Sequence, residues 1–578
     1  MKRAENSVKK VFYLTLCLAL CLSLFAACGK KQEKNKENAS GTQDNQSEQN
    51  QNDTGNTDKS DTNGENTTPD DAGQDGEPAD SEAAGSGITF PLAEKAEISV
   101  WVPWSSPVCD SPDEVGAVKV MEERTNVHIN WTTAGSNEAS EKFGLMMASG
   151  NYPDVLCNAG GYYSGSITAG LEDGVFLDLT DIIEANMPNY IAIITSNPEY
   201  NKMTKLDDGR RGAVYQVNCY NMERIEGENP WIGSVVRKDW LDKLNLELPE
   251  TIDDWHEVLT AFKENYGAVM LLNSTGINTA QDFISAYGVL SGFFQKNGTV
   301  YFGPLEDGYK QYLATMQQWY QEGLIDPNFN SFNLWTDTNR MFANNEAGAG
   351  AIIGSSAYSY LKDSGMTNEE GFFLQTVPAP VLNEGDTSYI GMSIPVFSRH
   401  LVLSTNCKNP ELVLSYLDQY FTEEGMEISS YGVEGESYTK KQDGSYEFLP
   451  VVKENPEGLS PADACSKYTM MSGQYFGFYN WGYAPPLYGE WLNEAQGIWK
   501  TDDSMNMPIN MTMTPEETIE YYTYYTDIQT LVEEFTAKCI MGSETLENYD
   551  SFVDSLKSYG VEKCLKIQQA ALDRYNTR

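Results

Sequence analysis

Few residues of this 578-residue chain are arranged to do covalent chemistry, and the one that is comes early. Cys28 follows Leu24-Phe25-Ala26-Ala27 at the end of an uncharged apolar run, Val11 to Ala27, behind the positive charges of Lys2, Arg3, Lys9 and Lys10. A charged start, an apolar stretch and small residues before a cleavage point make a secretory signal. A cysteine directly after the small residues places a nucleophilic thiol at that point. The run is short for a membrane span of about 20 residues, which argues against a simple transmembrane anchor. The histidines offer nothing comparable: His128 falls on an expected strand, His256 in an expected helix and His400 near an expected hinge. His256-Glu-Val-Leu-Thr260 lacks the second histidine of the HExxH zinc pattern. No Gly-x-Ser-x-Gly elbow and no Walker loop occurs, and among 84 acidic residues a pair such as Glu490 and Glu494 arises by chance. The chain reads as a non-enzyme with no cofactor and no metal. Its enzymatic rival is a glycoside hydrolase, which needs two carboxylates about 5–10 Å apart across a cleft.

What the chain has in quantity is ring surface. It carries 34 Tyr and 11 Trp, and its 12% aromatic content exceeds what cores usually need. Such rings join an apolar face to a polar tip and suit packing against sugar rings. Tyr475-Phe-Gly-Phe-Tyr-Asn-Trp-Gly-Tyr483, ahead of Ala484-Pro-Pro486, is the densest stretch. Rings interleaved with Gly and ended by Pro fit a loop wall, so Tyr479 and Trp481 are candidates for stacking on a saccharide; a structural aromatic plug between helices is the competing reading. With 84 acidic against 39 basic residues the formal charge is −45, which makes nucleic acid and anionic lipid poor partners. Beyond Cys28 lie Cys109, Cys157, Cys219, Cys407, Cys465, Cys539 and Cys564, an odd and widely spaced set without CxxC. That is neither a zinc site nor a disulfide framework, and free buried thiols in an exported protein hint at life without oxygen.

The elements that must position these residues begin late. From Gly29 to about Gly87 the chain is almost wholly Asn, Gln, Asp, Glu, Ser, Thr and Gly. Such a segment buries too little to offset its ordering entropy and reads as a solvated tether. Asp61-Thr-Asn-Gly-Glu-Asn66 resembles a calcium loop only loosely, its Gly being misplaced for an EF-hand. The body from about Ile88 is too long for one core and suggests two domains. Glu97–Pro103, Val127–Trp131 and Asp154–Leu156 read as strands, with helices over Glu114–Thr125 and Lys142–Ser149 between them. That alternation predicts parallel βαβ units in a mixed α/β body. Thr251 and Asp254 form a capping pair for a helix whose apolar face is Ile252, Trp255, Val258, Leu259 and Phe262. Asn409-Pro410 opens another, with Pro at the first helical position, and a last helix covers about Val561 to Tyr575.

Two parts of the chain resemble known families. Leu24 to Cys28 resembles the lipobox of bacterial lipoproteins, with Phe25 in place of the Leu usual three residues before the cysteine. The body resembles the extracellular solute-binding proteins of bacterial ABC importers. Val100-Trp-Val-Pro103, Ser149-Gly-Asn-Tyr-Pro-Asp-Val155, Leu177-Asp-Leu-Thr-Asp181 and Met187-Pro-Asn189 carry the likeness in its first part. It continues with Arg237-Lys-Asp-Trp-Leu-Asp-Lys-Leu-Asn245, Pro249-Glu-Thr251, Trp319-Tyr-Gln-Glu-Gly-Leu-Ile-Asp-Pro327, Asn409-Pro-Glu411 and Phe421-Thr-Glu-Glu-Gly425. Ile567-Gln-Gln-Ala570 and Asp573-Arg-Tyr575 complete it, so that it covers residues 95 to 578. The subgroup it is most similar to is the large LplA-like lipoproteins that feed oligosaccharide importers in Gram-positive bacteria.

The resemblance implies a two-lobed, type II periplasmic-binding-protein-like α/β fold with hinge strands around a ligand cleft. The expected division is a signal peptide at 1–27, a lipidated tether at 28–90, lobe one at 95–217 plus 340–397, and lobe two at 218–339 plus 398–578. It further implies a monomer held by a lipid anchor on the outer face of the cell membrane, an oligosaccharide ligand, and permease subunits as partners. A surface glycan sensor or adhesin without transport is the alternative. Ligands of open α/β sheets sit beyond the carboxyl ends of the strands, which nominates Trp104 after the first strand and Asn158, Tyr162 and Tyr163 after the third. Ser355, Ser356 and Tyr358 come after a later strand, while Trp231 and Trp335 lie near expected crossings. Arg237 can donate to a sugar diol or, alternatively, pair with a nearby carboxylate.

Overall fold

A computed structural model of the chain describes residues 87–578, apart from 228–229, 273–280, 335–336, 355–370, 390–394 and 471–475. The expected signal peptide, Cys28, the tether, Trp335, Ser355, Ser356 and Tyr358 lie outside the described residues. The strands are β1 (Ala96–Pro103), β2 (Val127–Ala134), β3 (Val155–Cys157), β4 (Val214–Cys219), β5 (Ile232–Arg237), β6 (Val269–Leu271) and β7 (Phe293–Lys296). They continue with β8 (Thr299–Phe302), β9 (Ala347–Ile353), β10 (Leu374–Thr376), β11 (Phe397–Leu403), β12 (Tyr438–Lys440), β13 (Tyr446–Phe448) and β14 (Phe478–Asn480).

Lobe one is built on a six-stranded sheet in the order β14-β4-β11-β3-β1-β2. β1 pairs in parallel with β2 and β3, and β14 in parallel with β4, while β11 runs antiparallel between β3 and β4. The parallel core comes from the βαβ alternation, with helices α1 (Gly116–Thr125) and α2 (Ala139–Ser149) between the first three strands. Val118 and Met121 of α1 are buried as the 3.6-residue period requires. Gly150 closes α2 at φ 68°, the left-handed conformation that a residue with a side chain resists. Lobe two has a four-stranded sheet, β10-β5-β9-β6. Against it packs α3 (Ile252–Tyr266), whose capping box of Thr251 and Asp254 is formed on both sides and whose five expected apolar residues are all buried.

The crossings differ from expectation. Ile232 does open the lobe-two sheet, but β9, expected after a return to lobe one, lies between β5 and β6 in lobe two. The return comes at 395–400 instead, where β11 enters the lobe-one sheet. Nor does the sequence after it pass to lobe two as a block. Helices α4 (Pro410–Asp418) and α5 (Glu423–Tyr431) put Val413, Leu414, Leu417 and Met426 into the lobe-one core. Asp418, buried on α4, accepts the backbone N–H groups of Asn189 and Tyr190 at 3.2 and 3.0 Å and so caps the lobe-one helix Pro188–Thr195. β14 is also a lobe-one strand. Helix α6 (Ala484–Tyr488) packs in a smaller cluster with Tyr431, Tyr438, Phe448 and Trp481, and lobe two resumes with α7 (Glu490–Trp499), α8 (Pro515–Ile540) and α9 (Val561–Thr577), the last two contributing Ile528, Val532, Val561 and Ile567 to its core. The physical reason is local ambiguity: small-residue strand Ala347–Ile353 and the amphipathic helices 410–431 have faces that suit either lobe, and only partner strands decide.

Candidate functional site

The carboxyl ends of β4 and β14 lie side by side, and the segments leaving them build the hinge. Val396, at the return crossing, accepts the backbone N–H of Asn218 at 2.7 Å, while the Asn218 amide donates to the Pro395 carbonyl at 2.7 Å and to Ser398 Oγ at 3.0 Å. The Asn218 side-chain oxygen accepts the indole N–H of Trp481 at 3.1 Å. One buried asparagine thereby joins the outgoing strand, the returning strand and the ring directly after β14. Trp481 packs on Tyr479 with centroids 4.4 Å apart, and on Trp231, the residue that precedes β5 of lobe two, at 5.3 Å. Tyr488 of α6 meets Trp231 edge-on at 6.0 Å, and Tyr483 lies 6.3 Å from Trp481. Trp231 and Tyr479 are half-buried, whereas Trp481 is 6% exposed. The result is an aromatic platform, half wet, spanning both lobes at the carboxyl edge of the sheet.

The interleaved glycines have a structural cause. A Cβ on Gly482 would stand 2.3 Å from the Tyr220 carbonyl oxygen, so only glycine lets the chain after β14 lie against the chain after β4.

Of the residues nominated from sequence, Trp231, Tyr479 and Trp481 are brought together. The others are not. Trp104 is 6% exposed within the lobe-one core; its indole N–H donates to the Cys109 carbonyl at 2.9 Å and its backbone N–H continues the β1–β2 pairing onto Ala134. Tyr162 turns edge-on to Trp101 at 5.4 Å, and Tyr163 packs on Phe176 and donates its hydroxyl to Asp173 at 2.8 Å. Burial, with that hydrogen bond to a carboxylate, pushes the Tyr163 phenol up to about 12. Asn158 takes the left-handed turn after β3 at φ 56° and donates its backbone N–H to the His400 carbonyl. Arg237 is wholly buried in lobe two, bidentate to Asp239 at 2.8 Å for both bonds, and sandwiched between Trp240 and Phe372 at 4.0 and 4.3 Å. Its carboxylate pairing is the one the sequence offered as the alternative.

Sequence reasoning passed over Asn218, Tyr220, Tyr488 and the positioning role of His400. The first two were within reach, because Asn218 and Tyr220 stand at and just beyond the boundary expected between the lobes at 217–218. His400 Nε2 accepts the backbone N–H of Gly160 at 2.9 Å, so the ring proton sits on Nδ1. Enclosure of the imidazole lowers its pKa to about 4. A Cβ on Gly160 would come 2.8 Å from Nε2. His400 thus fixes the Gly-rich loop that carries Asn158.

The model of the family described as bacterial extracellular solute-binding protein matches residues 110–427. The chain belongs to that family. Over 259 residues it is 31% identical to the fructooligosaccharide ABC transporter substrate-binding protein FusA of Streptococcus pneumoniae, a match covering 42% of this chain and 47% of FusA. The chain thus spans about half the length of that relative. Lipoprotein LipO of Bacillus subtilis is 25% identical over 406 residues, 65% of this chain and 74% of LipO. The crystal structure of alginate-binding protein AlgQ2, without calcium ion, superposes with a TM-score of 0.65 at 23% identity, over 85% of this chain and 100% of AlgQ2. At that identity the likeness concerns the fold, and the fold of this solute-binding protein is the two-lobed type II arrangement, with hinge strands around a cleft.

Among the described residues no cluster of three or more His, Cys, Asp or Glu could hold a metal ion, and no helix is long and apolar enough to cross a membrane. The seven cysteines beyond Cys28 are all free thiols. Burial pushes the Cys465 thiol up to about 12, which keeps it protonated and unreactive.

Proposed function

We propose that this chain captures a carbohydrate, an oligosaccharide in particular, by closing its lobes over the hinge platform, and delivers it to the permease subunits of an ABC importer. It does so as a monomer tied to the outer face of the cell membrane through acylated Cys28, and without catalysing a reaction. The observation that carries the reading is the contact of Trp231 from lobe two with Trp481 from lobe one at 5.3 Å, beside half-buried Tyr479. Ring faces held at the carboxyl edge of an open α/β sheet are suited to the apolar faces of sugar rings. The similarity to FusA, a fructooligosaccharide ABC transporter substrate-binding protein, supports the same class.

A thermal-shift and small-angle-scattering panel tests it. Neutral oligosaccharides are expected to raise the melting temperature and compact the particle, since a ligand bound to the folded, closed form stabilises by mass action. Stabilisation by amino acids or peptides, with none by any glycan, sinks the substrate class. The anchor is tested separately: Cys28→Ala is expected to release the protein from membranes and abolish lipid labelling, and unchanged retention with labelling refutes acylation at that thiol.

A further inference from the structure

Beside the platform lies a cavity of about 560 Å³. It is bounded on one side by Tyr220 and Asn221, directly after β4, and by Gly482, just beyond β14; on the other by the β12–β13 hairpin and the first turn of α7. Two parallel neighbouring strands therefore end at it, which is where this class of sheet places ligands. The volume falls within the range of about 300–1,000 Å³ typical of small-molecule sites.

Its walls are made and held in advance. Tyr446 of β13 stacks on fully buried Tyr431 with centroids 4.0 Å apart and planes 14° apart, and its hydroxyl donates to Glu427 at 2.7 Å. The ring is thus fixed at both ends. Pro485 and Pro486 add flat apolar surface, and Asn221, Asn493, Lys453 and Glu490 place donors and acceptors around it. The charges balance. Lys441 pairs with Glu447 at 3.1 Å, and the remaining lining cation, Lys453, is equalled in number by the lining carboxylate Glu490. A wall of that kind neither attracts an anion nor rejects a neutral polyol, and the formal charge of −45 repels an acidic glycan further.

We infer that this cavity is a second saccharide subsite, which takes neutral glycosyl units of a chain whose first units lie on the Trp231–Trp481 platform. The inference rests on the carbohydrate reading above and deepens it. It assigns the hairpin 438–448 a function, the selection of chain length. Tyr446 supplies the stacking face, and Asn493 and Glu490 supply hydrogen bonds to hydroxyl pairs.

The test is titration calorimetry on the full mature chain with size ladders of fructo-, malto- and xylo-oligosaccharides, and an oligogalacturonate ladder as the acidic arm. In the wild type, affinity is expected to rise with length in a neutral ladder. Tyr446→Ala and Asn493→Ala, one on the hairpin and one on α7, are expected to weaken the longer members about tenfold, the scale of one lost stacking or hydrogen-bonding contact, with a penalty that grows with length. Melting temperatures are read on the same samples, and Asn493→Ala, on a half-buried helix position, keeps the result interpretable if Tyr446→Ala loosens the hairpin. A length dependence that both variants leave intact overturns the subsite while the carbohydrate reading stands. Preference for the acidic ladder overturns the neutral class, and a wild type that binds no ladder overturns both readings.

Discussion

At the scale of single residues the molecule separates two kinds of tryptophan that look alike in sequence. Trp104 comes directly after the first strand, the position where a ligand-stacking ring is expected, yet its N–H is satisfied by Cys109 and its ring is nearly dry. Trp231 keeps part of its ring open to solvent. Trp104→Ala is therefore expected to cost about 3–5 kcal/mol of stability, the range for removing a buried aromatic, with sugar affinity retained. Trp231→Ala is expected to lose about 1–3 kcal/mol of binding, roughly ten- to hundredfold, with a small change in melting temperature. Denaturant unfolding and calorimetry on both variants check the pair, and the reverse pattern would falsify the assignment of the platform.

At the scale of elements, the loop after β3 is held by a ring on β11. His400 is neutral in the folded state, with its pKa near 4 against about 6.5 in the unfolded chain. A depressed folded pKa gives stability that is fully present above about pH 6.5 and lost as pH falls towards 4, because only the unfolded chain takes up the proton there. The component is on the order of 3 kcal/mol. His400→Gln, whose side-chain oxygen can still accept from Gly160, is expected to flatten the stability profile between about pH 6.5 and 4. A variant profile parallel to the wild type over that range counts against the role. The protection factor of the Gly160 amide, its exchange rate relative to the intrinsic rate at the same pH, reports the loop itself: a fall in protection on acidification is expected only in the wild type.

At the scale of the whole molecule, the lobes meet a second time, away from the platform. Helix α9 packs on β8 of lobe two, yet its last turns reach lobe one: Arg574 and Arg578 each donate to Asp207 at 2.8 Å, and Tyr575 donates to Glu199 at 2.9 Å. Arg574 also pairs with Glu517 at the start of α8. Asp207 stands in the turn before β4, so this contact and the platform hold the two ends of the hinge strand. Removing the Asp207 carboxylate leaves Arg574 its Glu517 partner but takes a charge partner from nearly buried Arg578, at a cost on the order of 1–3 kcal/mol. Asp207→Asn is expected to lower the melting temperature and to broaden the particle-size distribution of the unliganded protein in small-angle scattering. An unaltered scattering profile together with an unaltered melting temperature rules out a role in setting the hinge.

The sequence alone determined what depends on neighbours along the chain. β1 to β3, the capping box at Thr251, the Pro-initiated helix at 410 and the closing helix at 561 read from local periodicity and capping, because each is stabilised largely by its own residues and one buried face. The candidate site was partly legible: Trp231, Tyr479 and Trp481 stood near an expected crossing and in a Gly-interleaved aromatic run, and those signals are local too. Tertiary structure alone decided which lobe owns 340–354, 371–381 and 398–431, because a small-residue strand such as Ala347–Ile353 pairs with whichever neighbour the chain path supplies. It alone turned Trp104, Tyr162 and Tyr163 inward, since burial of a ring depends on residues far off in sequence. And it alone joined Asn218 to Trp481 across 263 residues, a hydrogen bond that only a parallel neighbour of β4 could complete.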